Sequence, residues 1–126
     1  MSVKVTVSEK GNPLQPDAPR KWYANAKSTG DTTLRSLSKE IAARSTVAPA
    51  DTQAVLIALT EVLVEHLANG KIVRLGDFGA FQVSVGSAGA ETKEKFHVSM
   101  IKTKKVVFRP GIDIKEMLNN LKFEKA

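Results

Sequence analysis

Between Pro49 and Gly70 the chain reads PADTQAVLIALTEVLVEHLANG, and this stretch restricts the fold more than any other. Ala54 through Leu59 form an unbroken apolar run, followed by Val62, Leu63, Val64, Leu67 and Ala68. Pro49 suits the first position of a helix, Asp51 favours its positive end, and Gly70 is the expected left-handed stop. At ~100° per residue the apolar side chains cover about two-thirds of the helix circumference. A helix lying on one sheet needs only a single stripe, so this one requires a second covering surface. The simplest is another copy of itself, with Val55, Leu56, Leu59, Val62 and Leu63 in the seam. The alternative, a helix central to a monomeric core, is poorly served by a short chain with one other amphipathic helix nearby. His66 lies on the same arc and reads as an interface residue rather than a ligand.

The flanking patterns supply the other elements. Val3, Val5 and Val7 alternate with Lys4, Thr6 and Ser8, as do Trp22, Ala24 and Ala26 with Tyr23, Asn25 and Lys27. This period of two predicts a paired β extension over residues 1–31, interrupted by Gly11-Asn12-Pro13, Pro16 and Pro19. Asp31 to Thr33 are candidate caps for a first helix, with Leu34, Leu37, Ile41 and Ala42 on one stripe. After the long helix come a strand at Ile72–Leu75, another at Ala80–Val85 and a basic strand at Val98–Phe108. Arg109-Pro110-Gly111 turns the chain into a last helix with Ile112, Met117, Leu118 and Leu121 on its apolar side.

Charge is unevenly placed. The net formal charge is +6; residues 32–85 are neutral overall, whereas residues 86–126 hold nine Lys/Arg against five acids. A basic stretch on a neutral body points to an anionic partner, or to a solvated surface strand. The chain has no cysteine and two histidines, His66 and His97, well separated in sequence. That excludes disulfides and thiolate metal sites, and no metal ligand set or cofactor is expected. No nucleophile–base pair or phosphate-cradling loop suggests a catalytic residue. No apolar run is long enough for a membrane span, and the amino terminus lacks an apolar signal core.

One stretch, VRLGDFGAFQV over Val73–Val83, carries two misleading motifs. DFG without the other kinase elements, and GDFG between strands rather than between helices, fit neither a kinase nor an RNA clamp. A structural corner fits better. Gly76 and Gly79 permit positive φ, and Phe78 and Phe81 plug the base of the sheet against the long helix. Beyond the corner the chain runs into a basic ribbon. Alternation places Lys102 and Lys104 on one face and Lys105, Val107 and Arg109 on the other.

Two helices, IVRLGDFGAFQV, a basic ribbon, and VVFRPG entering a terminal helix resemble the HU and integration-host-factor proteins, bacterial histone-like DNA-bending proteins. The resemblance covers about residues 32–122, roughly three quarters of the chain, and the leader resembles that of longer, HU-like variants of Bacteroides-type bacteria. It implies an α+β intertwined homodimer: two N-terminal helices, a three-stranded antiparallel sheet with a protruding β-arm at about 86–105, and a C-terminal helix, with the β extension added. Phe78 and Phe81 join the dimer seam. Lys102, Lys104, Lys105 and Arg109 become phosphate contacts, with Lys115 on the flank and Lys93 and Lys95 near the arm tip. The resemblance also implies a cytoplasmic, nucleoid-associated role on double-stranded DNA, without catalysis.

The chain departs from that family pattern at the tip. No proline occurs between Pro49 and Pro110, whereas family arms carry a wedging proline; Glu91 and Glu94 lie where phosphates would approach. Phe96, Met100 and Ile101 are the apolar residues available as a wedge, or for packing. The residues therefore leave two alternatives to architectural DNA binding: a scaffold that kept the fold for protein contacts, and an RNA or mixed nucleic-acid binder. The 1–31 extension is a candidate segment for a protein partner.

Overall fold

The computed structural model describes residues 1–126. In chain order the elements are β1 (Val3–Lys10), β2 (Lys21–Lys27), α1 (Leu34–Ala43), α2 (Pro49–Ala68), β3 (Val73–Arg74), β4 (Gly79–Ser87), β5 (Ile101–Pro110), α3 (Ile112–Asn119) and β6 (Phe123–Lys125). A single 3-10 turn at Val98–Met100 leads into β5. The chain forms two compact units, one of Met1–Thr33 with Leu118–Ala126 and one of Leu34–Met117.

In the first unit β1 is central in a three-stranded sheet of order β2-β1-β6. It pairs antiparallel with β2 from Lys4↔Lys27 to Lys10↔Lys21, and parallel with β6 from Val3↔Phe123 to Val5↔Lys125. Directly opposed residues share a face. One face therefore gathers Val3, Val5, Val7, Trp22, Ala24, Ala26 and Phe123, and the other Lys4, Thr6, Ser8, Lys10, Lys21, Tyr23, Asn25 and Lys27. The connecting loop is made of tight turns: Asn12 accepts from Leu14 N–H through Oδ1 at 3.0 Å and from Gln15 N–H through its carbonyl at 3.1 Å. Strand β6 is not anticipated by any local pattern. The last helix ends at Asn119, before Leu121, and the chain then extends to join β1.

In the second unit α1 begins at Leu34, just past the three candidate caps. Helix α2 starts with Pro49 in its first turn and closes as expected at Gly70, whose φ is +79°. Gly70 N–H donates to Leu67 O and Lys71 N–H to His66 O, the paired bonds of a Schellman ending. The most buried side chains of this unit are small. Ser38 and Thr52 satisfy their hydroxyls one turn back, on Leu34 O at 2.8 Å and Ala48 O at 3.0 Å.

The sheet of this unit has order β3-β4-β5, with β4 and β5 paired antiparallel from Gly79↔Pro110 to Ser87↔Ile101. Its corner is the GDFG stretch. Gly76 (φ +54°) turns the chain, while Phe78 N–H donates to Leu75 O at 3.0 Å and Leu75 N–H to Gly79 O at 2.9 Å. Gly79, at φ +157°, lies where a Cβ would fall 2.5 Å from the Phe108 ring and 2.6 Å from Arg109 O. The corner also holds the start of α3: Gly111 N–H donates to Phe78 O at 2.8 Å and Asp113 N–H to Asp77 O at 3.0 Å. A Cβ on Gly111 would collide with the Asp77 carbonyl. Phe108 joins the two expected aromatics, with ring centroids 4.9 Å from Phe81 and 5.5 Å from Phe78.

Little apolar surface is hidden within one chain. Ala80 is the only buried hydrophobic residue, while Val55, Leu59, Val62 and Val64 on α2 are 63, 40, 46 and 65% exposed. Leu56, Leu63 and Phe81 are half-buried, and Phe78 is exposed. The chain exposes 10,697 Å². Two separate compact bodies of these sizes would expose about 7,800 Å² between them.

Candidate nucleic-acid interface

The β4–β5 ribbon carries the candidate site, and its register assigns each cation to a face. Arg74, Ala80 and Arg109 lie side by side across β3, β4 and β5. Gln82 opposes Val107, and Ser84 opposes Lys105, on that same face. The other face pairs Phe81 with Phe108, Val83 with Val106 and Val85 with Lys104. One side of the ribbon is thus polar and basic, and the other is apolar until it reaches Lys104.

Lys105 and Arg109 are four residues apart on β5, so about 13 Å separates them along the strand; Arg74 stands about 10 Å from Arg109 across the sheet. A shallow hollow between Arg74 and Arg109 is floored by Gly76, Gly79, Ala80 and Gly111, residues that keep the surface low. Cations rising from either side of a low floor suit a phosphate backbone. Arg74 was not among the expected contacts. It stands in a stretch of zero net charge, and only the pairing of β3 with β4 brings it beside Arg109.

Lys102 departs from the alternation. The register shifts between Gly86 and Ser87, whose partners are Thr103 and Ile101, so Lys102 is the extra residue of a β-bulge. A bulge re-aims the side chain it carries and twists the ribbon. Simple alternation therefore does not place Lys102 with Lys104. A Cβ on Gly86 would collide with the Thr103 hydroxyl, which explains a glycine next to the bulge.

The remaining expected contacts are dispersed. Lys93 and Lys95 lie in the connection between β4 and the 3-10 turn, and Lys115 lies exposed on α3. Lys95 Nζ is 3.2 Å from Glu91 Oε2, so its charge is already opposed locally, although both groups are largely in solvent. Lys102, Lys104, Lys105 and Arg109 make no ion pair within the chain; the two present are Lys95–Glu91 and Arg20–Glu9. The 3-10 turn is closed at its start by His97, whose backbone N–H donates to Met100 Sδ at 3.4 Å. Phe96 and Ile101 are exposed there and Met100 is half-buried. No group of three or more His, Cys, Asp or Glu is placed to hold a metal ion. No helix is long and apolar enough to cross a membrane.

An α+β chain with three helices, a long basic hairpin and a glycine corner seating the last helix defines an HU-like domain. The family model for the HU domain fused to wHTH, Ig, or Glycine-rich motif (HU-HIG) matches residues 1–125, and the chain belongs to that family. The match takes in the N-terminal strands together with the helices and the β4–β5 ribbon. Among solved structures, the chain is similar to a protein from Bacteroides vulgatus ATCC 8482, provisionally described as a bacterial DNA binding protein. The TM-score is 0.67 at 12% identity, covering 98% of this chain and 48% of the other. The chain thus spans about half the length of that protein, and at this identity the likeness concerns the fold. No curated protein matches the sequence.

Proposed function

We propose that the protein is a non-enzymatic architectural DNA-binding protein that acts as a homodimer on double-stranded DNA, mainly through phosphates and with little base readout. Membership of an HU-like family supports DNA binding as the class of activity. The observation that carries the finer reading is the division of the ribbon into two faces. Arg74, Lys105 and Arg109 stand unpaired with any carboxylate on the face that also offers Gln82 and Ser84. Lysine and arginine held open in this way attract phosphate without selecting a base sequence.

The homodimer rests on the surface left uncovered. The exposed area exceeds that of two compact bodies of these sizes by about 2,900 Å². So many large apolar side chains left exposed on one chain mark a surface that a partner covers. Val55, Leu59 and Val62 of α2, and Phe78, Val83, Val85 and Val106 near the ribbon, are the exposed apolar side chains a second copy would cover. The place of work is the nucleoid, and the relation is to longer HU-like proteins of the Bacteroides type.

Glu91, Glu94 and the absence of a proline near the tip favour a milder distortion of DNA than a proline wedge produces. The test is the combined variant Lys102→Ala/Lys104→Ala/Lys105→Ala. Its affinity for duplexes of unrelated sequence falls by similar factors while its mass in solution stays that of the wild type. Unchanged affinity in that variant removes the three ribbon lysines from the mechanism.

A further inference from the structure

We propose that the polar face of the N-terminal sheet is a second phosphate-contact surface for the duplex, separate from the β4–β5 ribbon. This inference rests on the reading of the protein as a DNA binder. Its basis is the register of β1 with β2, which sets Lys4 directly opposite Lys27 and Lys10 directly opposite Lys21. All four lysines are exposed, and none has an ion pair within the chain. Like charges directly opposed across a strand pair destabilise the sheet, and a shift in the position of either lysine would relieve them.

Lysines on exposed strands commonly guard against edge-to-edge aggregation. That role accounts for Lys21 and Lys27 on the edge strand β2. It does not account for Lys4, which lies on the central strand between β2 and β6. The only acid on this face is Glu124, opposite Lys4, and its carboxylate accepts a hydrogen bond from Ser2 Oγ at 3.1 Å. Glu9, the other strand carboxylate, lies on the apolar face opposite Trp22, with Arg20 3.9 Å away.

Between the two lysine pairs the face offers only groups that suit a phosphate–sugar backbone. Thr6 opposes Asn25 and Ser8 opposes Tyr23, and Asn25 Nδ2 donates to Ser8 Oγ at 2.8 Å. The Ser8 proton and the second Asn25 amide proton remain available to phosphate oxygens. The lysine pairs stand about 20 Å apart along the strand. A shallow groove lined by Lys10, Gly11, Asn12, Pro13, Tyr23 and Ala24 extends the face at one end. Two cation pairs separated by a row of hydroxyl and amide groups complement one duplex backbone over several successive phosphates.

The experiment compares the full-length wild type with the Lys4→Thr/Lys10→Thr/Lys21→Thr/Lys27→Thr variant by anisotropy of a labelled duplex across a range of salt. Each lost contact removes about 0.9 from the log–log salt slope, so a change of about 2 or more is expected. The thermal midpoint stays the same or rises, because two like-charge pairs are gone. If the fourfold variant does not fold, Lys10→Gln/Lys21→Gln alone is expected to give about half the slope change. A folded variant with the wild-type slope and affinity overturns the second surface, while a concurrent loss in the ribbon variant leaves the main reading intact. Loss of single-stranded RNA binding with duplex binding unchanged also overturns it. A wild type that fails to bind duplex at the lowest salt removes both readings together.

Discussion

Leu59→Asp tests the dimer at its proposed seam. Leu59 is 40% exposed in the single chain, beside Val55 and Val62 one turn to either side. That exposure corresponds to about 80 Å² of largely apolar surface, whose burial by a partner contributes about 2 kcal/mol per chain. Aspartate forfeits this and places a carboxylate in an apolar seam, where an uncompensated charge costs a further ~2 kcal/mol or more. Across a two-fold axis the change occurs twice, for a total of about 8 kcal/mol, or a dissociation constant raised by five to six orders of magnitude. Light scattering coupled to size exclusion is the assay. The wild type elutes at twice the 13.6 kDa chain mass. The variant at micromolar concentration loses that species, either as free chains or through unfolding, because a chain whose only buried hydrophobic residue is Ala80 has little core of its own. Leu59→Met, which conserves volume, remains dimeric. A folded Leu59→Asp protein that stays fully dimeric refutes the seam.

Gly79→Ala is expected to destabilise the fold by about 3 kcal/mol or more in urea unfolding, since it combines positive φ with overlap of the Phe108 ring and Arg109 carbonyl. An unchanged midpoint would mean that the corner is looser than its contacts imply. Glu91→Gln/Glu94→Gln frees Lys95 and removes two negative charges near the tip. Duplex affinity at low salt is expected to rise by about threefold, fading as salt is added, because exposed charges act weakly and are screened. Titration of a labelled duplex measures this, and no gain would place the tip away from DNA. Lys102→Ala/Lys104→Ala/Lys105→Ala removes six charges from a dimer; if all touch phosphates the salt slope flattens by about 5.

The elements that could be read from the sequence are those whose pattern is local. The alternation of Val3, Val5 and Val7, the Pro49 start of α2 and its Gly70 stop each depend on neighbours within a turn or a strand. The corner was legible as a turn, but its second task was not. That Gly79 makes room for Phe108, and that Asp77 and Phe78 carbonyls anchor the start of α3, depends on β5 arriving from thirty residues away. Strand β6 was invisible for the same reason. Phe123-Glu124-Lys125 is too short to show a period, and its partner β1 lies at the opposite end of the chain. Arg74 is a lone cation in a neutral stretch, which carries no signal until a sheet sets it beside Arg109. The bulge at Lys102 shows the limit of period-two reasoning, since one extra residue ends the alternation on which face assignments depend.

The most direct test of the account is anisotropy of a ~30-base-pair duplex titrated with the wild-type protein at several salt concentrations. Binding that weakens steeply with salt, by about 0.9 log units per log unit of salt for each phosphate contacted, and that is similar for unrelated sequences, is the predicted result. Absence of duplex binding even at low salt would contradict it and would mean that this HU-like domain serves protein contacts instead.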